Sequence, residues 1–439
     1  MSKTGIMAGF LVCSNNKVLK DHALVVENGI ITDIVPNSKV LGTPGFTDAR
    51  DCIVTPGFVN AHTHMYGVIS HGTPCSCLAP TLKPRLEQYW WPKVEDKINH
   101  ELVDLSTKHA CVEALRNGVT CWDDTLEAPN AVPGALAIEA DIIDKAGLRA
   151  VLGFEATQRQ SNENGLTGLK ENYDFVKRQR AKKDSLVKGL MCAHTTFSCS
   201  TDFLRKAKEM ANELNEDLQI HLCESVDEGR YCIDKYGKFP AELYFELGIL
   251  DKRLLASQCV VMDPCELEMM GRAKVRVAHQ PISNATSGNG IAPVREMINY
   301  GMSVGLGTDG EVGDMLEIMR TTYYIHKARR MTSVDVLSMK EIFAMATEMG
   351  ADAIGYKNIG KFEIGRCADW LVFDTFAPTP VNENNIFSQI IMFRKSSNIK
   401  EIVVAGNTLM KNGSLLTVDE KRIEKDIYEA TQEYWRNLV

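Results

Sequence analysis

The sequence predicts an α/β fold: a (β/α)8 TIM barrel carrying a small β-sandwich domain formed from both termini. Three observations carry this reading. Apolar strand-like runs alternate with helical stretches through the long middle of the chain, which means parallel strands. The two ends are β-rich instead, with turn signals between short apolar runs. Metal-ligating residue types recur at the ends of the middle strands, where barrel proteins carry their chemistry.

The elements follow in order. Short strands are predicted at Phe10–Cys13, His22–Val26 and Ile30–Val35, with Asn28-Gly29 as the hairpin signal between the last two. The middle offers eight strands, at 53–61, 118–123, 148–154, 188–193, 217–222, 256–262, 275–279 and 302–308. Helices are predicted at 101–116, 134–146, 201–214 and 239–247 among others. Segment 66–100 interrupts the alternation, with Pro74, Pro80, Pro84, Pro92 and the pair Trp90-Trp91. A loop of that length inside a compact domain reads as a lid or binding loop. Strands return at 368–374 and 399–405, a Gly406-Asn407 turn follows, and a helix from about Val418 to Asn437 closes the chain. Residues 1–56 and 366–439 are expected to form the small domain, and 57–365 the barrel.

Composition narrows the partners. At 44% hydrophobic, the 439 residues can bury a large core. The net charge is −8, and no basic run is long enough to track a phosphate backbone. The densest basic cluster, Arg178, Arg180, Lys182 and Lys183, reads as a solvated helix face. No run of eighteen apolar residues is present to span a membrane, and the N-terminus lacks the apolar core of a secretion signal. The thirteen cysteines are odd in number and scattered through apolar segments, as at Cys111, Cys121, Cys192 and Cys259. That is the pattern of reduced cysteine in a cytoplasm. Cys75-Ser-Cys77 is one residue short of a CxxC signature and reads as pocket lining or packing. The expectation is a cytoplasmic homo-oligomer, a dimer, acting on a small-molecule substrate, with no nucleic acid and no membrane as partner.

The chemistry starts at His62 and His64. They lie two apart at the end of an apolar run, so both imidazoles point to one side of a strand. His221, near the end of the run 217–222, and Asp309, just past the run 302–308, supply two further ligand-type groups. An HxH alone would more often be a pair of buried barrel histidines. Three imidazoles and one carboxylate at successive strand ends suit one divalent metal ion, zinc or iron, with a position open for water.

These motifs resemble the amidohydrolase superfamily, in its hydrolytic deaminase and chlorohydrolase branch. The resemblance spans nearly the whole chain: Pro56-Gly-Phe-Val-Asn-Ala-His-Thr-His64, His221-Leu-Cys-Glu-Ser225, Ser283-Asn284, Gly290-Ile-Ala-Pro293, Gly305-Leu-Gly-Thr-Asp-Gly310 and Ala368-Asp-Trp-Leu-Val-Phe-Asp374. The stretches from Pro74 to Trp91 and from Gly307 to Met315 more particularly resemble aminohydrolases of the SsnA type. The resemblance implies one metal on His62, His64, His221 and Asp309, Glu224 as a proton shuttle, and His194 as a substrate-facing histidine. One departure matters. The family has a histidine at the end of the sixth strand, where this chain reads Ala256-Ser-Gln-Cys-Val260. Gln258 holds that place and cannot titrate or carry charge. His279, at the next strand end, is a candidate to take over the role.

A bound divalent ion acidifies its water toward neutral pH. Glu224, three residues beyond His221, is placed to take that proton and give it to a ring nitrogen, while Asp309 accepts a second. Tyr66, Trp90 and Trp91 are candidates to stack on a flat ring. No group of acidic residues in the lid stands out for a ribose, which favours free bases. The expected activity is therefore hydrolytic deamination of a heteroaromatic amine: a free purine, a pterin or a related ring. The alternatives are release of chloride or another ring substituent, or an inactive barrel acting as a binding subunit.

Overall fold

In the computed structural model, which describes residues 3–73, 79–310, 313–334 and 336–436, the middle of the chain closes into the expected barrel. Its eight strands are Phe58–Thr63, Val119–Leu126, Arg149–Phe154, an interrupted fourth (Val187–Gly189 and Met191–Ala193), Leu218–Leu222, Leu254–Gln258, Arg276–His279 and Val304–Leu306. Neighbouring strands pair in parallel around the ring. The fourth is broken at Leu190, so its first half pairs with the third strand and its second half with the fifth. Between first and last, Thr63 bridges Asp309, and the N–H groups of Thr308 and Asp309 each donate to His62 O at 3.0 Å. All five residues of Leu218–Leu222 are buried, as a parallel sheet covered on both faces requires.

Helices cover the outside. Ser200 caps Thr201–Leu214 by accepting from Phe203 N–H, and Asn215 ends it at φ 51°. Helices Asn162–Ala181, Val226–Tyr236, Pro264–Ala273 and Met315–Arg330 complete the alternation. The lid is more ordered than its prolines suggested, with helical turns at Met65–Ser70, Leu82–Arg85, Trp91–Lys93 and Glu95–Lys97. Pro74 and the pair Cys75 and Cys77 lie outside the described residues, as does Asn437. The closing helix is described over Glu420–Arg436. No helix among the described residues is long and apolar enough to cross a membrane.

Two strand expectations change. The predicted strand 53–61 is two elements, because Phe46–Pro56 belongs to the small domain and Phe58–Thr63 to the barrel. Gly57 separates them. A Cβ there would meet Thr120 Oγ1 at 2.0 Å, so the close passage needs glycine. An unbroken apolar run hides such a break, since apolar pattern reports burial and not direction. The predicted strand 256–262 is instead Leu254–Gln258, because Gln258 and Cys259 turn the chain with φ of 80° and 50°.

Both termini build the small β domain. Thr4–Ser14, Lys17–Glu27, Ile30–Pro36 and Phe46–Pro56 join Trp370–Asp374, Ile399–Val404, Asn407–Lys411 and Ser414–Leu415. Within it, hydrogen bonding runs as one continuous eight-strand ladder rather than two separate sheets. The seam is Phe46–Pro56 lying antiparallel to Trp370–Asp374. Arg149 of the third barrel strand reaches Asp369 beside that seam, donating at 2.7 and 3.0 Å from a buried position.

Candidate active site

Barrel closure brings His62, His64, His221 and Asp309 together at the C-terminal ends of the first, fifth and eighth strands. The His62 ring lies 4.8 Å from that of His64 and 4.9 Å from that of His221. Asp309 Oδ1 is 3.2 Å from His64 Nε2 and 3.7 Å from His62 Nε2. The second ring nitrogens of His64 and His62 are hydrogen-bonded elsewhere, and that of His221 lies in ion-pair contact with a carboxylate. His64 Nδ1 meets Thr125 O at 2.6 Å. His62 Nδ1 lies 3.0 Å from the Gln219 side-chain amide and 3.1 Å from Ser257 Oγ. His221 Nδ1 lies 2.7 Å from Glu155 Oε1.

The donor set fits a borderline divalent cation. His62 Nε2 is buried with no hydrogen-bond partner among the described residues. Burial pushes the His62 imidazole down to about 4, so it stays in the neutral, ligating form. For Asp309, burial alone would raise the carboxyl, but the His62 and His64 imidazoles beside it outweigh that and hold it well below the usual range. Backbone strain marks the same rim. Cys223, Gln258, Cys259 and Asp309 all have left-handed φ, at 52°, 80°, 50° and 60°. Each such non-glycine residue costs on the order of 1–3 kcal/mol, and such strain clusters where function demands it.

A cavity of about 670 Å³, mouth included, opens over this cluster. Glu224 lines it beside His221, accepts from the Asn289 amide at 3.3 Å, and is pushed up to about 7 by burial. Gln258 faces the cluster as expected, with Nε2 donating to Asp309 Oδ2 at 2.9 Å, and Ser283 Oγ donates to the same oxygen at 2.5 Å. His194 lines the cavity with Nδ1 held at 2.7 Å from Ser198 Oγ. Trp90 and Trp91 of the lid line it too.

Two expected residues are not brought to the cavity. Tyr66 is buried behind the wall, its hydroxyl donating to Glu95 at 3.0 Å, so it supports the lid and does not face a ring. His279 is fully buried at the seventh strand end, with Nε2 3.3 Å from His326 Nε2 on the helix Met315–Arg330. That neighbour holds its ring on the helix side of the strand, outside the cavity lining.

The reading from sequence also missed an acidic wall. Glu95 of the lid, Glu127 and Glu155 all line the cavity. Arg159 donates to Glu127, to Asp96 at 2.7 Å and to Glu95 at 3.1 Å, with its guanidinium 5.2 Å from the Trp91 ring centroid. A signal existed for two of them: Glu127 and Glu155 directly follow the second and third barrel strands, the positions where barrels place functional groups.

A parallel barrel with a histidine-rich cation centre at its strand ends is the architecture of a metal-dependent hydrolase. The model of the Amidohydrolase family matches residues 53–409, and the chain belongs to that family. A 5'-deoxyadenosine deaminase of Methanosarcina barkeri is 32% identical over 419 residues, 94% of each chain. A 5-methylthioadenosine/S-adenosylhomocysteine deaminase of Thermodesulfovibrio yellowstonii is 31% identical over 449 residues, 98% of this chain and 99% of that one. An adenosine deaminase from Xanthomonas campestris with bound zinc shares the fold at a TM-score of 0.87 and 23% identity, covering 99% of this chain and 98% of that one. The chain is an aminohydrolase of the amidohydrolase type, a deaminase that uses a divalent metal, zinc in that neighbour.

Proposed function

We propose that the protein hydrolytically deaminates a heteroaromatic amine that carries a polar substituent, as an adenosine-type nucleoside does. The observation that carries this is Glu224, a half-buried carboxyl beside the His62, His64, His221 and Asp309 cluster, in the wall of the cavity that opens over it. Those four residues would hold the cation. When bound, it supplies an acidified water and an electrophilic centre at neutral pH.

The chain's own groups do the rest. Glu224, poised near neutrality, takes the water's proton and gives it to the ring nitrogen beside the attacked carbon. Asp309 accepts the second proton, which leaves with ammonia. Gln258 and Ser283 orient Asp309 through its Oδ2. His194 offers a hydrogen bond to the ring, and Trp90 and Trp91 cover it. The acidic wall of Glu95 and Glu127 suits hydroxyl donors on a substituent, which favours a nucleoside over the free base expected from sequence. The relatives' names, deaminases of 5'-deoxyadenosine and of 5-methylthioadenosine/S-adenosylhomocysteine, support the same choice. The largely buried, unbridged cysteines among the described residues support a reducing cytoplasm as the setting, and a homodimer is part of the reading.

The assay uses the zinc-loaded protein with adenosine-type nucleosides, free aminopurines, aminopterins and chlorotriazines, with ammonia and chloride measured separately. Ammonia from nucleosides is the expected result. Ammonia from free bases alone would move the substrate to the bare ring. Chloride with no ammonia from any amine would overturn the deaminase reading. Sedimentation of the same preparation tests the dimer.

A further inference from the structure

Glu155 lies just past the third barrel strand, is 2% exposed, and lines the cavity. Burying a carboxylate is costly unless something compensates it. Its ion-pair partners are not lysine or arginine but two histidines. His221 Nδ1 is 2.7 Å from Oε1, and His194 Nε2 is 4.0 Å from the same oxygen. A neutral imidazole carries one proton, and the acceptor at one nitrogen decides where it sits. With the proton drawn to Nδ1 by Glu155, the Nε2 lone pair of His221 is left for the cation.

The comparison with the other two histidines sharpens the point. His64 is oriented by a backbone carbonyl, and His62 by a side-chain amide and a hydroxyl, all neutral partners. Glu155 is the charged one. A carboxylate behind a ligating imidazole fixes its tautomer and tilt and makes it a stronger donor. The ring plane of His221 is within 6° of that of His64, with centroids 5.5 Å apart.

We propose that Glu155 is a positioning residue: through Nδ1 it holds His221 in the tautomer and orientation that present Nε2 to the cation. The inference rests on the assignment of His221 as a ligand, so the test separates the two. Zinc affinity is measured by chelator competition on Glu155→Ala, Glu155→Gln and His221→Ala, with zinc stoichiometry by elemental analysis and the visible spectrum of the cobalt(II)-substituted proteins. Thermal melting of the metal-free forms reports folding independently of metal.

Glu155→Ala is expected to weaken zinc about 10- to 100-fold, with a shifted cobalt spectrum. Glu155→Gln, which keeps the acceptor but not the charge, should weaken zinc less. If Glu155→Ala fails to fold, Glu155→Met, close in length and without an acceptor oxygen, takes its place, and wild-type affinity together with a wild-type spectrum overturns the proposal. The same result from Glu155→Ala overturns it while leaving His221 a ligand. Wild-type zinc affinity in His221→Ala overturns the ligand assignment itself. Two zinc ions per wild-type chain, one of them lost in Glu155→Ala, would make Glu155 a ligand of a second ion and overturn its positioning role.

Discussion

Glu224 and Asp309 are both half-buried carboxyls at the same rim, yet they are driven in opposite directions. Asp309 has imidazole partners and stays ionised, whereas for Glu224, which accepts from the Asn289 amide, burial outweighs the pull of His221 and His64 and lifts it to about 7. The first is suited to hold charge and the second to exchange a proton. Glu224→Gln keeps the shape and removes the exchange. It should retain one metal ion per chain and lose about 10²–10⁴ in kcat. A variant with more than a tenth of wild-type turnover would remove Glu224 from the reaction. Gln258 gives a second test at this scale. It donates to Asp309 without being able to titrate. Gln258→His places a group that titrates near 6.5 when unperturbed against Asp309. The pH profile of kcat/KM should gain an inflection in addition to the one that Glu224 gives near 7.

The lid lines the cavity through Trp90, Trp91 and Glu95, and it is tied down from two sides. Arg159, 6% exposed in its side chain, joins Glu95 and Asp96 of the lid to Glu127 of the barrel. From the other side the closing helix reaches in, with Tyr434 Oη donating to Lys93 O at 2.6 Å and Trp435 Nε1 to Ile69 O at 3.0 Å. Removing Arg159 strands Glu95 and Glu127 in a buried wall, and breaking a buried ion pair from one side costs about 3–5 kcal/mol. Arg159→Leu should therefore lower the melting temperature and raise KM more than it lowers kcat, because the lid and not the cation cluster is released. An unchanged KM would mean that the tie does not hold the binding wall.

At the scale of the whole molecule, the two domains meet through Arg149 and Asp369. The pair is buried to 4% and 3% exposure, and Asp369 also accepts Ala405 N–H at 2.6 Å. Asp369→Asn keeps the size but leaves the guanidinium without its counter-charge. It should cost about 3–5 kcal/mol, read as an earlier thermal midpoint, with metal stoichiometry unchanged. The metal is a second global tie. A ligand that binds only the native state stabilises it by mass action, and His62, His64, His221 and Asp309 come from three separate strand ends. Chelated protein should melt at a lower temperature, and added zinc should restore the midpoint. An equal midpoint with and without metal would count against a tight site.

Local pattern made much of this protein legible. The strand–helix alternation, the two β-rich ends, and the placing of His62, His64, His221 and Asp309 at strand ends are properties of short stretches, readable from spacing alone. The position of Gln258 came from the resemblance instead, since the predicted strand 256–262 would put it near the start of a strand that in fact ends there. The sequence by itself determined the barrel, the small terminal domain and the placing of His62, His64, His221 and Asp309 at strand ends, because backbone periodicity dictates which way neighbouring side chains point. What it could not determine lies across strands. Glu155 meets His221 from 66 positions away, Arg159 gathers Glu95, Asp96 and Glu127 from two other segments, and Gly57 breaks an apolar run because Thr120 passes beside it. Tyr66 and His279, both beside predicted strand ends, turn out to face Glu95 and His326 instead of the cavity. Only the tertiary structure decided these, because such contacts are set by how the closed barrel staggers its strands against one another, and no spacing within one strand encodes that stagger.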